Sequence, residues 1–360
     1  MNGHWFACGQ LIVGLIVLTV GGDWLVRGAA TLAALLRVSA LVIGLTVVAF
    51  GTSAPELAVS LQAALAGNTD LAVGNVVGSN IFNVLLILGV TALITPLSVA
   101  SRLILWDVPL MILASLAFWA LSQDRLLGRL DGLLLFGGLL AYVAWTIRQS
   151  RAESREVQSE FEQALPAPRG RAVRVAAASL LFIIGGLVLL HFGSQWLVAG
   201  AVTIAEALGV SQLTIGLTIV AAGTSMPEVV TSIVAGLRGE RDIAVGNVVG
   251  SNLFNILCVL GLSALVTPHG IDVSQTALRL DIPVMIAVAV LVLPILLTDH
   301  CVSRRDGAVF LFYFVAYMSY TVLAAARSQL QHSVVGILTV VVPVTVLTLA
   351  VGVYQHLRRG

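Results

Sequence analysis

The sequence of 360 residues contains no lysine, and all 19 of its cationic side chains are arginines. Charged residues make up only 10% of the chain, whereas soluble domains carry about 25%. This scarcity of charge, together with 58% hydrophobic residues and a mean hydropathy of +1.01, excludes an ordinary soluble domain. The composition indicates an integral membrane protein, and the formal net charge of +1 argues against nucleic-acid binding as a main role.

Further absences narrow the chemistry. The three cysteines, Cys8, Cys258 and Cys301, are scattered without a CxxC spacing, so neither a disulfide framework nor a thiolate metal site is expected. The six histidines show no metal-binding spacing, and the HExxH and GxSxG motifs of hydrolases are absent. We therefore expect neither an enzyme nor a bound cofactor. Because the N-terminus has no basic n-region, we expect the first apolar run to be a permanent helix.

The sequence does contain a series of apolar runs of helix length. Runs of roughly 20 residues cross a bilayer as α-helices, whereas the strands of a barrel are alternating segments of roughly 10 residues. We predict an all-α integral membrane protein with ten core transmembrane helices and an eleventh helix at the C-terminus. The predicted spans are 7–28, 39–66, 72–95, 104–122, 131–148, 174–199, 211–238, 244–266, 278–298, 306–325 and 334–356.

The distribution of arginines predicts the orientation of these helices. With the N-terminus outside, 15 arginines fall on the cytoplasmic side and 4 fall outside, as the positive-inside rule requires. We predict a multi-pass protein of the cell (inner) membrane. In this orientation the polar segment 149–173 is a cytoplasmic linker, and the C-terminus is also cytoplasmic.

A long internal repeat organises the chain. Leu41–Pro96 aligns without gaps to Leu213–Pro268, at an offset of 172 residues, with 35 identities in 56 positions. Five predicted crossings separate equivalent points, and because five is odd the two copies point in opposite directions through the membrane. We predict an inverted repeat of five plus five helices, a plan shared by many secondary transporters. The first repeat covers 1–148 and the second covers 174–325, while 326–360 form an extra C-terminal helix and tail.

The most polar motif of the repeat is GTSAPE at Gly51–Glu56, which recurs as GTSMPE at Gly223–Glu228. Pro55 lacks an N–H group and disfavours helical geometry in the residue before it, so we predict that the helix breaks or kinks here. A broken buried helix leaves carbonyl oxygens for which a cation can be the partner. The hexapeptides add hydroxyl and carboxylate oxygens, which are ligands for Na⁺ or Ca²⁺ rather than for soft metals. These side chains are Thr52, Ser53 and Glu56 in the first copy, and Thr224, Ser225 and Glu228 in the second.

Kinks at proline or glycine are common in membrane helices, so a break alone does not identify a site. A carboxylate embedded in the membrane is costly, and here one occurs at the same position in both copies. We therefore predict that Glu56 and Glu228 belong to one site at the centre of the bilayer.

A second motif, GNVVGSN, also occurs once in each copy. Its two glycines are four residues apart, a spacing for which close helix packing is the favoured role. Ser79 and Asn83 are also four apart, as are Ser251 and Asn255, so each pair shares one helix face. Each pair can present oxygens to the same cavity. The other asparagines of the motif are expected to hydrogen-bond broken backbone nearby.

The doubled GTSxPE and GNVVGSNxFN motifs resemble those of the calcium/cation antiporter superfamily, in particular its prokaryotic sodium/calcium exchangers. The resemblance covers nearly the whole chain up to about residue 325. It implies that Glu56 and Glu228 coordinate a central Ca²⁺, aided by the backbone carbonyls of Thr52 and Thr224. It also implies flanking Na⁺ sites and a set of residues in the middle of the site. The flanking groups are the carbonyls of Ala49 and Ala221 and the side chains of Ser53, Ser225, Ser79 and Ser251, and the middle residues are Asn83 and Asn255.

The activity implied by this resemblance is Na⁺/Ca²⁺ antiport that exports Ca²⁺ by alternating access. Its partners are the two ions and the lipid bilayer, without an obligatory protein partner. Two carboxylates carry a charge of −2, which one Ca²⁺ neutralises and three Na⁺ exceed by one, so exchange at the stoichiometry implied by the family is electrogenic.

Other couplings stay open at this point. H⁺/Ca²⁺ or K⁺-dependent exchange is the first alternative, because buried glutamates can accept protons. Some family members carry an aspartate at one of the middle positions; here both are asparagine, so proton coupling would have to use the two glutamates. A cation channel is a remote alternative, because channels more often use symmetric rings of subunits.

Overall fold

The computed structural model describes residues 2–36, 38–161, 169–208, 219, 221–326, 328 and 330–359. Within these ranges the chain is helical except for turns, short connections and four two-residue strands. The helices are α1 (Asn2–Leu36), α2 (Ala40–Thr52), α3 (Ala54–Leu65), α4 (Thr69–Ile94), α5 (Leu103–Leu121), α6 (Arg129–Phe161), α7 (Arg169–Ala207), α8 (Ala221–Thr224), α9 (Met226–Leu237), α10 (Arg241–Val266), α11 (Ala277–Asp299), α12 (Arg304–Ala325) and α13 (Gln331–Arg359). The strands are β1 (Leu97–Ser98), β2 (Leu126–Leu127), β3 (Ile271–Asp272) and β4 (Cys301–Val302).

Nine of the described helices are long and apolar enough to cross a membrane, and the bent pair of α2 and α3 makes a tenth span. These ten correspond to ten of the eleven predicted spans. The predicted span 211–238 lies partly outside the described residues, at 211–218 and 220, and its remainder forms α8 and α9. The protein is therefore an all-α multi-pass membrane protein, as predicted.

Four of the predicted boundaries differ from the structure by five or more residues at the helices flanking the linker and at the end of the first helix. The first and sixth spans were predicted to end at 28 and 199, but α1 continues to Leu36 and α7 continues to Ala207. These extensions are rich in alanine, which favours helix. In the predicted linker, α6 continues to Phe161 and α7 begins at Arg169, while 162–168 lie outside the described residues.

The four short strands establish the relative direction of the two repeats. β1 pairs antiparallel with β4, and β2 pairs antiparallel with β3. Helix α5 runs from β1 to β2, that is, from the first of these small sheets to the second. Its equivalent in the other repeat, α11, runs from β3 to β4, back from the second sheet to the first. The equivalent helices thus run in opposite directions, which confirms the predicted inverted repeat.

Helices α1 and α7 pack against each other along a seam of glycines. A Cβ atom added to Gly186 would lie 2.6 Å from the backbone nitrogen of Leu25, and one added to Gly14 would lie 2.6 Å from that of Leu197. Because neither helix has room for side chains along the seam, their backbones meet directly. The seam glycines recur every seven residues: Gly14, Gly21 and Gly28 on α1, and Gly186, Gly193 and Gly200 on α7.

Burial places α10 at the centre of the bundle and α13 at its edge. In the most apolar part of each span, 89% of α10 is buried inside the protein, compared with 0% of α13. Helix α13 packs on α11 and α12. Its hydroxyl at Thr345 lies 2.7 Å from the hydroxyl oxygen of Tyr313, which donates to it. The C-terminal helix is therefore a peripheral addition to the repeated core.

The glycines of the GNVVGSN motif in α10 have the packing role predicted for them. A Cβ atom on Gly250 would lie 2.7 Å from Ala49 Cβ and 2.8 Å from the carbonyl oxygen of Leu45, and Gly246 also contacts α2 closely. The residues of the second repeat equivalent to this part of α2 are 213–221, of which 213–218 and 220 lie outside the described residues. The same role for the equivalent glycines of α4 stays a prediction.

Candidate cation-binding site

The two GTSxPE motifs form broken helices. A single residue, Ser53, separates α2 from α3, and the two helices meet at an angle of 45°. Ser225 separates α8 from α9 in the same way, with nearly the same backbone angles as Ser53. The break follows from Pro55 and its equivalent Pro227, which lie at the start of α3 and α9 and cannot donate to the preceding turn. In the second copy the carbonyl of Gly223, four residues before Pro227, accepts a hydrogen bond from a serine hydroxyl of α7 instead.

The structure brings the two embedded carboxylates into one hydrogen-bond network. Ser225 Oγ donates to Glu56 Oε1 at 3.0 Å, and Ser53 Oγ donates to Glu228 Oε1 at 3.3 Å. Each serine thus reaches the carboxylate of the opposite repeat. Both glutamates are only 1% exposed. Ser79 also joins this network, because its hydroxyl oxygen lies 3.3 Å from Ser225 Oγ, whose own proton is directed to Glu56.

The backbone around each glutamate is supported by an asparagine from the GNVVGSN motif. Asn75 Nδ2 donates to the carbonyl oxygen of Glu56 at 3.3 Å, and Asn247 Nδ2 lies 3.5 Å from that of Glu228. Asn247 Oδ1 also accepts from Thr52 Oγ1 at 3.1 Å. The Thr52–Asn247 contact links the broken helix of the first repeat to α10 of the second. The two asparagine–glutamate contacts lie within one repeat each, and they agree with the expectation that such asparagines bond broken backbone.

Helices α4 and α10 widen where they pass the site. A π-helical segment begins at Asn83 in α4 and another begins at Asn255 in α10. Single π-helical turns inside α-helices occur frequently at functional sites. Both asparagines were predicted to lie in the middle of the site, and both are 1% exposed.

Several buried oxygens at the site lack a hydrogen-bond partner within the described part of the chain. They come in equivalent pairs from the two repeats, with one additional serine hydroxyl. A buried acceptor without a partner costs about 1–3 kcal/mol, and more when it is charged. A cation coordinated by these oxygens would remove that cost. The oxygens are Glu56 Oε2, Glu228 Oε2, Asn83 Oδ1, Asn255 Oδ1 and Ser251 Oγ.

The remaining predicted ligands include the backbone carbonyls of Ala49, Ala221 and Thr224. The carbonyl of Ala49 accepts the N–H of Ser53 at 3.0 Å and lies 3.3 Å from Thr52 Oγ1, and its two lone pairs allow it to bond the N–H and a cation together. Ala221 begins the short helix α8 and Thr224 ends it. Asn80 and Asn252 were expected to bond broken backbone nearby, but each bonds the other's carbonyl, across from α4 to α10. The methionines Met111 and Met285, which contact these amides, were not singled out from the sequence. The sequence signal for Asn80 and Asn252 was that asparagine occurs at the same position in both repeats.

An inverted repeat whose broken helices meet at an oxygen-lined, buried site is the architecture of a secondary transporter for hard cations. The sequence model of the sodium/calcium exchanger protein family matches residues 6–148 and 178–323, one segment in each repeat. The chain belongs to this family and is a multi-pass membrane cation antiporter.

Similarity to individual proteins supports this assignment. The chain is 39% identical over 310 residues to the putative antiporter CaxA of Alkalimonas amylolytica, covering 85% of this chain and 96% of the relative. It is 33% identical over 338 residues to the sodium/calcium exchanger MaX1 of Methanosarcina acetivorans, covering 86% and 96%. Among solved structures, the sodium-calcium exchanger NCX_Mj is similar with a TM-score of 0.75 and 30% identity, over 88% of this chain and 99% of that one.

Proposed function

We propose that this protein exchanges Na⁺ for Ca²⁺ across the membrane, and that Glu56 and Glu228 form its central Ca²⁺ site. The observation that carries the proposal is the crossed arrangement of these buried carboxylates. One oxygen of each is held by a serine of the opposite repeat, and the other oxygen has no partner in the described part of the chain. The similarity to MaX1 and NCX_Mj, which are sodium/calcium exchangers, supports the choice of ions.

The ligands for the ions come from both repeats. Around the central Ca²⁺, the carboxylates are joined by the backbone carbonyls of Thr52 and Thr224. Asn83 and Asn255 contribute side-chain oxygens to the middle of the site. Flanking Na⁺ ions use the carbonyls of Ala49 and Ala221 and the hydroxyls of Ser53, Ser225, Ser79 and Ser251. Both ions are transported substrates, and no resident cofactor or partner protein is required.

The charge of the site makes this exchange electrogenic. Two carboxylates carry −2, so a site that holds one Ca²⁺ is neutral and a site that holds three Na⁺ carries +1. Moving one elementary charge through the membrane potential is worth about 2.3 kcal/mol per 100 mV. The membrane potential therefore adds to the Na⁺ gradient in driving Ca²⁺ export. In the orientation set by the arginines, the protein lies in the inner membrane with its N-terminus outside and the segment 149–173 and its C-terminus in the cytoplasm.

The test is Ca²⁺ uptake into proteoliposomes that contain the purified full-length protein. We expect uptake to require a Na⁺ gradient, to persist with a protonophore, and to respond to an imposed potential. Glu56→Gln and Glu228→Gln each abolish uptake, because the substitution removes one of the two site charges without changing side-chain size. Glu240→Gln, a matched control outside the broken helices, leaves uptake unchanged.

Three results in this assay would contradict parts of the proposal. Uptake that needs no Na⁺ and collapses with a protonophore indicates H⁺/Ca²⁺ exchange. Uptake that ignores the imposed potential contradicts electrogenic exchange. Near-normal uptake by either glutamine variant contradicts the assignment of the site.

A further inference from the structure

Four buried asparagine side chains cross between α4 and α10 next to the proposed ions. Asn83 Nδ2 donates to Asn252 Oδ1 at 3.0 Å, and Asn255 Nδ2 donates to Asn80 Oδ1 at 3.0 Å. All four residues are at most 2% exposed. The two pairs are related by the inverted repeat, so the same arrangement is built twice.

In each pair, one asparagine (Asn80 or Asn252, called the outer member) has the orientation of its amide fixed by its surroundings. Asn80 Nδ2 lies 3.3 Å from the carbonyl oxygen of Asn252 and 3.6 Å from the sulfur of Met285. Asn252 Nδ2 lies 3.4 Å from the carbonyl oxygen of Asn80 and 3.4 Å from the sulfur of Met111. Carbonyl oxygens and thioether sulfurs only accept hydrogen bonds. The NH₂ group of each outer asparagine must therefore face them, and its Oδ1 must face away.

The orientation of the outer member fixes that of its partner, the inner member (Asn83 or Asn255). Because Asn252 Oδ1 can only accept, Asn83 must turn its NH₂ group toward it, and the same holds for Asn255 opposite Asn80. The remaining Oδ1 atoms of Asn83 and Asn255 are the buried oxygens that lack a partner in the described part of the chain. We infer that Asn80 and Asn252 are positioning residues, which keep the amide oxygens of Asn255 and Asn83 turned toward the transported cation.

The inference rests on the proposed cation site and explains how neutral side chains serve in it. An asparagine amide that turned over would place an NH₂ donor against the cation, which is electrostatically unfavourable. A carboxylate presents an oxygen in either orientation and needs no such partner. With asparagine in both middle positions the site keeps a charge of −2, and its oxygens are oriented by hydrogen bonds from behind. Support of this kind, from residues behind the ligands, commonly changes metal affinity by about 10–100-fold.

The test is Ca²⁺ binding to the purified full-length protein, measured with radioactive Ca²⁺ for four forms. These forms are the unmutated protein, Asn252→Ala, Asn83→Asp, and the double variant. We expect Asn252→Ala to weaken Ca²⁺ binding by about 10–100-fold. On the Asn83→Asp background we expect the same substitution not to weaken binding, because a carboxylate has no amide to misorient and no hydrogen to donate to Asn252 Oδ1. A merely structural role of Asn252 would weaken binding on both backgrounds.

Two results would overturn the inference alone: binding by Asn252→Ala equal to that of the unmutated protein, or an equal loss on both backgrounds. Absence of Ca²⁺ binding by the unmutated protein would overturn the proposed function together with the inference. The equivalent pair, Asn80→Ala with and without Asn255→Asp, repeats the test in the other repeat and decides the question if a variant of the first pair does not fold. Thermal unfolding identifies such a variant.

Discussion

The contact between Gly250 and α2 predicts that one added methyl group disturbs the cation site from behind. In Gly250→Ala the new Cβ would lie 2.7 Å from Ala49 Cβ and 2.8 Å from the carbonyl oxygen of Leu45. Neither neighbour is the end of a flexible side chain, so the contact can be relieved only by moving α10 and α2 apart. Helix α2 ends at the break that carries Ser53, so this movement reaches the site.

The size of the effect follows from these distances. Close carbon–oxygen contacts in proteins are about 3.3–3.6 Å, so relieving the carbonyl contact alone requires the two helices to separate by roughly 0.5–0.8 Å. Overpacking of this kind costs about 1–3 kcal/mol. Replacing glycine by alanine in a helix returns up to about 1 kcal/mol. Functional groups must be held within about 0.5 Å of their productive positions, so we expect Ca²⁺ affinity to fall as well as stability.

A graded series of glycine variants makes the prediction sharp. Gly246, one turn away on the same face, would place its Cβ 3.1 Å from the carbonyl oxygen of Leu41, a less severe contact. Gly137 in α6 has no described atom within 4 Å of an added Cβ. Thermal unfolding in detergent and radioactive Ca²⁺ binding should rank Gly250→Ala below Gly246→Ala, with Gly137→Ala closest to the unmutated protein. A Gly250→Ala variant as stable and as tight in binding as Gly137→Ala would refute the reasoning.

Two further predictions concern the periphery. Asp23 on α1 pairs with Arg27 and with Arg238, which follows α9; exposed pairs of this kind are worth about 0.2–1 kcal/mol each. Asp23→Asn should therefore lower thermal stability more than Arg238→Gln, and the difference should shrink in high salt; equal effects would contradict this. Removal of 327–360 should leave Na⁺-driven Ca²⁺ uptake intact, because α13 lies outside the repeats and the family match ends at 323. A folded truncated protein without uptake would contradict it.

The inverted fold could be predicted from sequence because it depends on counting. An offset with an odd number of crossings reverses the second copy, whatever the details of packing. The break before Pro55 could also be predicted, since a proline inside an apolar run cannot complete the helical hydrogen bonds. The helix ends were harder to predict. The alanine-rich residues after 28 are compatible with a connection or with a continuation of α1, and tertiary packing stabilises the helix.

The roles of the asparagines could not be predicted in the same way. Asn80 and Asn83 are three residues apart on one helix, have the same side chain, and recur in the other copy. Their difference lies in what surrounds each amide: a carbonyl oxygen and a thioether sulfur around the NH₂ of Asn80, and an acceptor on one side only for Asn83. Those neighbours come from residues distant in sequence, so the assignment requires the fold.

The crossed contacts also explain why a site shared between inverted repeats suits an exchanger. Ser53 holds Glu228 and Ser225 holds Glu56, so each carboxylate is positioned by the repeat to which it does not belong. A movement of one repeat relative to the other therefore changes the oxygens on both sides of the site at once. In the proposed mechanism, bound cations compensate the two buried carboxylates and permit that movement, whereas a site with its two carboxylates uncompensated disfavours it. Coupling between ion binding and access then follows from the crossing itself, without a separate gate.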